Sequence, residues 1–357
     1  MLLLNFFAVA ALLVAYISYH FPPSVTWYFA LAGLGYPLIV LCNLFFIVYW
    51  LFVRRKFMWI SIIGLLIGMN HLSAMLQWNF RDYPEEGENT LKVMSYNVRL
   101  LGLYSDKGTG TRDSIFALIR QESPDVVCFQ EFYHGDQKPK FSTRDYIVKN
   151  LPLRHYHERY THSTSGREFF GVAMFSRYPI IRKGYIPFEG DVNNFCIYAD
   201  IVKEGDTIRV FDGHLASIRF QKEDYAFFDQ VEESQTVEKD MKRVFGRLRK
   251  GYLRRMEQAE KVAAEVSKSP YPVILCGDFN DTPFSYCYNV MTSDLDDAFC
   301  EKGSGVGNTY NGSLPGFLRI DYILKSESIR TLDFKTFPHA YSDHHPVMAE
   351  FALKDGK

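Results

Sequence analysis

Three features of the sequence predict a layered α/β domain behind a hydrophobic amino-terminal end. Short β-branched and aromatic runs bounded by turn residues recur after residue 90, the pattern of strands. Two segments carry apolar residues at helical spacing, and strands mixed with helices pack as layers. Residues 1–80 are overwhelmingly apolar and carry basic charge only at Arg54, Arg55 and Lys56.

From the amino terminus, residues 2–19, 25–53 and 57–78 each approach or exceed the roughly 20 apolar residues that cross a bilayer core. Three transmembrane helices are expected. A cleaved signal peptide is the competing reading of the first, but residues 1–5 lack the Lys or Arg of an n-region. The positive-inside rule keeps Arg54-Arg55-Lys56 cytoplasmic, and the amino terminus with it, so three spans would deliver everything after Trp78 to the far side. Trp27, Tyr28, Tyr49, Trp50, Trp59 and Trp78 lie near span ends, where amphipathic rings favour the interface. Asn70 and His71 soften the third span and are read as interfacial or helix-packing residues.

Residues 81–90, with Pro84, Gly87 and several acidic groups, read as a linker. The soluble domain then covers residues 91–353, enough chain for one large core. Strands are expected at 91–98, 126–130, 171–175, 194–202, 207–212, 273–276, 320–324 and 347–352. Helices are expected at 111–122 and at 252–267, the latter through Leu253, Met256, Ala259, Val262, Ala263 and Val266. Between them, residues 219–250 mix charges of both signs with Tyr225, Phe227, Phe228, Val231, Val244, Phe245 and Leu248. Such a stretch suits a solvated helical hairpin or long helix with its aromatics packed on the domain; a substrate-facing or membrane-facing insertion is the alternative.

The formal net charge of −1 lacks the basic excess of a nonspecific duplex binder. Of six cysteines, Cys128 and Cys276 sit in apolar runs and read as buried thiols. A disulfide between Cys287 and Cys300 stays open, since sequence does not fix its geometry.

Six motifs carry residues competent for metal or proton chemistry: Tyr96-Asn97-Val98-Arg99, Phe129-Gln130-Glu131, Asp212-Gly213-His214, Gly277-Asp278-Phe279-Asn280, Arg319-Ile320-Asp321-Tyr322 and Ser342-Asp343-His344. Most end or follow an apolar run. In this order they resemble the endonuclease/exonuclease/phosphatase superfamily, which includes abasic-site endonucleases, pancreatic-type deoxyribonucleases, neutral sphingomyelinases and inositol polyphosphate phosphatases. The resemblance spans the soluble domain and none of the apolar end. It implies a four-layer α/β sandwich of two packed mixed sheets flanked by helices, here preceded by three transmembrane helices.

The same resemblance implies the site. Asn97, Glu131 and Asp343 would hold the metal, Asp278 would orient and deprotonate the attacking water, and Asp321 would fix the ring of the catalytic His344. His214 and Asn280 would contact the phosphate. Oxygen donors suit Mg²⁺, with Mn²⁺ as the alternative. Asp281 is expected to cap the chain segment after it, and His339 and His345 to be surface or packing residues. A zinc hydrolase lacks support because no H-E-x-x-H or dense N/S spacing occurs, and a serine hydrolase because no G-x-S-x-G occurs.

The resulting expectation is a metal-dependent phosphoesterase acting on nucleic acid, phospholipid or a small phosphoester, anchored in the bilayer by its amino-terminal helices and without an obligate protein partner. A bacterial inner-membrane protein with a periplasmic catalytic domain is the simplest placement. The alternative is a catalytically silent membrane scaffold that binds phosphorylated ligands.

Overall fold

The computed structural model describes the 357-residue chain except residues 106–108, 137–138, 219, 222, 225–236, 313–317, 340 and 354–357. Tyr225, Phe227, Phe228 and Val231 of the charged stretch therefore lie outside the described residues. The chain forms two compact units: Met1–Met75 with Ala216–Glu260 and Asn280–Val290, and Leu76–Leu215 with Lys261–Phe279 and Met291–Lys357.

In the first unit the helices are α1 (Leu2–Ser18), α2 (Pro23–Leu34), α3 (Tyr36–Val53), α4 (Met58–Ile67) and α5 (Met69–Met75). Three continuous spans do not form. The expected second span breaks at Gly35, which leaves helical geometry at ψ 0°, and Pro37 then sits in the first turn of α3, where its missing N–H costs nothing. The expected third breaks at Gly68, where a Cβ would lie 2.0 Å from the Tyr16 ring, and the helices on either side bend by 71°. By length and composition one helix, α3, can cross a membrane, or two if the bent pair counts as one span. The end of the expected third span is instead strand β1 (Leu76–Trp78).

Buried polar side chains tie α1, α3 and α4 together. Asn5 donates to Ser61 (2.6 Å), Ser61 to Asn43 (2.9 Å), Trp50 to Asn5 (2.9 Å) and Asn43 to the Ala8 carbonyl (3.1 Å). Among apolar helices such groups are costly unless paired, so they fix one packing arrangement.

The second unit is built from β2 (Thr90–Asn97), α6 (Gly110–Glu122), β3 (Val126–Gly135), α7 (Thr143–Asn150), β4 (His155–Thr164), β5 (Glu168–Ser176), β6 (Ile180–Phe188), β7 (Asp191–Lys203) and β8 (Asp206–His214). After helix α8 (Val237–Val266), which runs from one unit into the other, come β9 (Val273–Asp278), α9 (Tyr286–Met291, starting in the first unit), β10 (Asp296–Asp297), α10 (Ala298–Lys302), β11 (Ser304–Val306), β12 (Asp321–Lys325), β13 (Ile329–Thr336) and β14 (Val347–Leu353). Helix α8 begins well before the expected start at Tyr252, so part of the mixed-charge stretch is a long helix.

Two six-stranded sheets run β13-β14-β2-β3-β5-β4 and β10-β12-β9-β8-β7-β6, and β1 pairs with β11 separately. Both six-stranded sheets are mixed, with β2–β3 and β8–β9 parallel. Their inner faces share a core that includes Val93, Cys128, Met174, Ile197, Val210 and Ile323. The outer face of the first sheet buries Tyr96, Phe129 and Phe175 with Ile115, Phe116 and Ile119 of α6. The eight strands expected from sequence are the interior strands of these sheets. Of the strands not expected, β4, β6, β10 and β13 are the edges of these sheets, and β1 and β11 form the separate pair. Residues 81–90 are pinned to the sheets by Arg81–Glu350 and Glu88–Arg330 ion pairs, both 2.7 Å. All six cysteines carry free thiols.

Gly277 is the tightest backbone approach in the second sheet: its φ is +147°, and a Cβ would lie 2.0 Å from the Gly213 carbonyl oxygen. Gly277→Ala is therefore expected to destabilise the chain by about 2 kcal/mol or more. Urea unfolding would measure it, and an unchanged midpoint would refute the close approach.

Candidate active site

Strand register gathers the motifs at one sheet end. His214 closes β8 and pairs with Asp278, the end of β9, while Asp321 opens β12 and pairs with Asp278 from the other side. In the first sheet Asn97 closes β2 opposite Gln130 of β3. Between Phe129 and Phe132 the β3 register shifts, with Glu131 at φ +50°. A bulge re-aims a side chain, and Glu131 Oε1 here comes within 3.5 Å of Asn97 Nδ2.

The Asn97 amide joins the sheets, its Nδ2 donating to Asp278 Oδ2 at 3.0 Å while its Oδ1 accepts from the Arg99 N–H at 3.1 Å. The donor orients Asp278, and Oδ1 keeps a second lone pair for the cation that Asn97 is expected to help hold.

His344 Nδ1 lies 2.9 and 3.2 Å from the two oxygens of Asp321, and its Nε2 lies 3.7 Å from Asp278. His214 Nε2 is 3.8 Å from the same Asp278 oxygen. Burial opposes charge on His344, but the Asp321 and Asp278 carboxylates outweigh it and hold its pKa up to about 10. Burial drives Asp278 up to about 6; Asp321 adds to the rise, while His344, His214 and Asn97 oppose it. At neutral pH the centre thus pairs an imidazolium with a carboxylate of near-neutral basicity, the matched acid and base of proton-transfer chemistry.

Asp343 Oδ2 sits 3.2 Å from Arg99 Nη1 at a more open edge. Burial, and after it the like charge of Asp343, raises the Glu131 carboxyl above its usual range. Two mutually repelling carboxylates supply the hard oxygen donors that suit a divalent cation. Ligand atoms of Asp278, Asp321 and His344 also lie within 4.8 Å of one another. His344 Nδ1 is already engaged with Asp321, and the Glu131–Asp343 side offers oxygen donors alone.

Sequence reasoning gives no role to several residues that build this centre. Arg99, Leu100 and Leu101 all have positive φ (43°, 56° and 56°), followed by Gly102 at 71°, so a left-handed turn begins one residue beyond Asn97-Val98 and delivers Arg99 to Asp343. Ser342 Oγ donates to the Asn97 carbonyl (2.8 Å) and accepts from the His344 N–H (3.2 Å). Thr309 Oγ1 accepts from the Asp321 N–H (3.1 Å), and Tyr310 pairs with His344 as an isolated bridge. Gln130 is the one of these with a signal, a polar residue in an apolar strand; buried, it donates to Asp212 (2.6 Å) and Ser95 (3.2 Å).

Asn280 begins the segment that belongs to the first unit, with φ +53°. Asp281 does more than cap: besides accepting from the Thr282 N–H (3.0 Å), it forms a buried ion pair with Arg255 (2.9 Å). His345 packs with its Nδ1 3.3 Å from the His339 carbonyl.

Solved structures share this fold at low identity. A mannosyl-6-phosphatase from Bacteroides thetaiotaomicron VPI-5482 is 19% identical, covers 74% of this chain and 100% of its own, and has a TM-score of 0.52. The human Nocturnin catalytic domain with bound sulfate anion is 17% identical over 76% and 99%, with a TM-score of 0.52. An endonuclease/exonuclease/phosphatase from Beutenbergia cavernae DSM 12333 is 18% identical over 74% and 72%, also at 0.52. No curated protein matches the chain in sequence. Residues 1–75 match a family described as Domain of unknown function (DUF8431). The model of the Endonuclease/Exonuclease/phosphatase family matches residues 94–344, most of the chain and every residue of the candidate site, and the protein belongs to that family.

Proposed function

We propose that this protein is a membrane-bound, divalent-metal-dependent phosphoesterase that hydrolyses its substrate by in-line attack of water on phosphorus. The observation that carries the reading is the buried chain Asn97–Asp278–His344–Asp321, in which a carboxylate of raised pKa faces a protonated imidazole. A silent scaffold would have no use for that pairing, since both groups are buried at a cost that binding alone does not require.

Asp278, held by the Asn97 amide, takes the proton of the attacking water as the new P–O bond forms. His344, kept charged by Asp321, donates toward the phosphoryl oxygen that gains charge as the ester bond breaks. His214 and Asn280 contact the phosphate. Glu131 and Asp343, with Asn97, would hold a divalent cation, Mg²⁺ or Mn²⁺, which would supply charge neutralisation at the phosphate oxygens. DNA, RNA, phospholipids and phosphoinositides form the substrate panel.

Exposed Leu3, Phe7, Leu41, Phe45, Val48 and Phe52 along α1 and α3 support membrane attachment, because soluble monomers rarely expose so much apolar surface. With Arg54-Arg55-Lys56 cytoplasmic, the second unit lies on the far side if the bent pair at Gly68 spans the bilayer, and in the cytoplasm if the pair turns back. We favour the far side, which is periplasmic in a bacterial inner membrane. A reporter fused after Lys357 is expected to be active only outside the cytoplasm, and cytoplasmic activity would overturn that placement.

Chelation is expected to abolish hydrolysis, and Mg²⁺ or Mn²⁺ to restore it; full turnover in metal-free buffer would refute the cation role. Asp278→Asn is expected to lower kcat by about 10². The pH profile is set by the signs of the two shifts. Activity needs Asp278 unprotonated, so it rises with pH through about 6. It also needs His344 protonated, so it falls as pH passes about 10. Asp321→Asn removes a charge that raises His344, so the alkaline limb is expected to move to lower pH. A limb that stays in place would show that another group titrates there.

A further inference from the structure

We propose that residues 1–75 brace the segment Asn280–Val290 and thereby set the position of Asn280, a role beyond attachment to a membrane. The proposal rests on the phosphoesterase reading only for what Asn280 does. The brace itself is visible within the first unit. Gly33 of α2 lies so near this segment that a Cβ would be 2.6 Å from the Phe284 carbonyl oxygen. The Ser18 hydroxyl reaches the same oxygen at 3.3 Å, and the fully buried Tyr36 ring lies 4.1 Å from that of Phe284. Tyr19 meets Tyr288 at 6.4 Å.

Helix α8 holds the segment from a second direction. Arg255, 1% exposed, pairs with Asp281 at 2.9 Å and donates to the Ala216 carbonyl at 3.0 Å. The same helix is seated on α2: Val244, Leu248 and Tyr252 pack with Ala30, Leu31 and Leu34, and the Tyr252 hydroxyl donates to the Ala30 carbonyl at 3.4 Å. Asn280 sits at the head of this clamped segment in a left-handed conformation, φ +53°, one that asparagine adopts more readily than most side chains. A side chain that meets a reacting phosphate must be placed to a fraction of an ångström. Asn280 is thus a positioned residue, and Gly33, Tyr36 and Phe284 are positioning residues.

Gly33→Ala in the full chain, in detergent micelles, tests this. Alanine favours a helix over glycine and Gly33 does not have positive φ, so α2 itself is not weakened; the added Cβ meets the Phe284 carbonyl at 2.6 Å and the Ser18 hydroxyl that bonds it at 3.1 Å. Two measurements are needed: amide hydrogen exchange across residues 280–290, and kcat/KM with and without Asn280→Ala. Exchange in the segment is expected to speed up by about tenfold or more while β2 and β9 stay protected. The kcat/KM is expected to fall by about tenfold with Asn280 present and to change little in the Asn280→Ala background, because contacts in one chain of action are not additive. Unchanged exchange, or an equal loss in both backgrounds, would overturn the brace. Phe284→Ala carried through both measurements decides the matter if the Gly33 variant misfolds. If no phosphoester is hydrolysed at all, the functional reading fails alone, and the exchange result still judges the brace.

Discussion

Burial of the Asp278 carboxylate, 1% exposed at the end of a central strand, is the constraint on which the rest of the centre depends. A bare buried carboxylate would neutralise itself. Here Asn97 reaches across from the other sheet to donate to it, the charged His344 lies 3.7 Å away, and the His214 ring lies 3.8 Å away. The same carboxylate, with Asp321, keeps His344 charged. The carboxylate and the imidazolium therefore define each other's charge, and their pairing holds only while both sheets keep their register.

Backbone strain is concentrated where this centre needs reach. Arg99 to Leu101, Glu131 and Asn280 account for five of the eight non-glycine residues with positive φ, among the described residues. Each follows or belongs to a motif at a strand end. Regular strands would carry these side chains along the sheet, whereas the left-handed turn and the bulge swing Arg99 and Glu131 toward Asp343 and Asn97. The folded sheets supply the packing that holds these conformations.

The apolar end is more than a hydrophobic tail. Its polar network of Asn5, Asn43, Trp50 and Ser61 specifies one packing of three helices. Its compact unit also takes in part of α8 and the segment that starts at Asn280. Contacts far apart in sequence, such as Tyr36 with Phe284, create that unit.

By itself the sequence determined the α/β class, the interior of both sheets and the motifs at the strand ends. Interior strands such as β9 and β14 are buried throughout and so appear as largely apolar runs, and His214, Asp278 and Asp321 lie at the ends of such strands. Edge strands need no such run: β4, written His-Tyr-His-Glu-Arg-Tyr-Thr-His-Ser-Thr, reads as polar chain until β5 pairs with it. Only the tertiary structure decided that Asn97 donates to Asp278, that Glu131 swings inward on a bulge, that Arg99 meets Asp343, and that the expected second and third spans break at Gly35 and Gly68. Each of these depends on a partner remote in the chain or on a backbone angle, and neither is written in local periodicity.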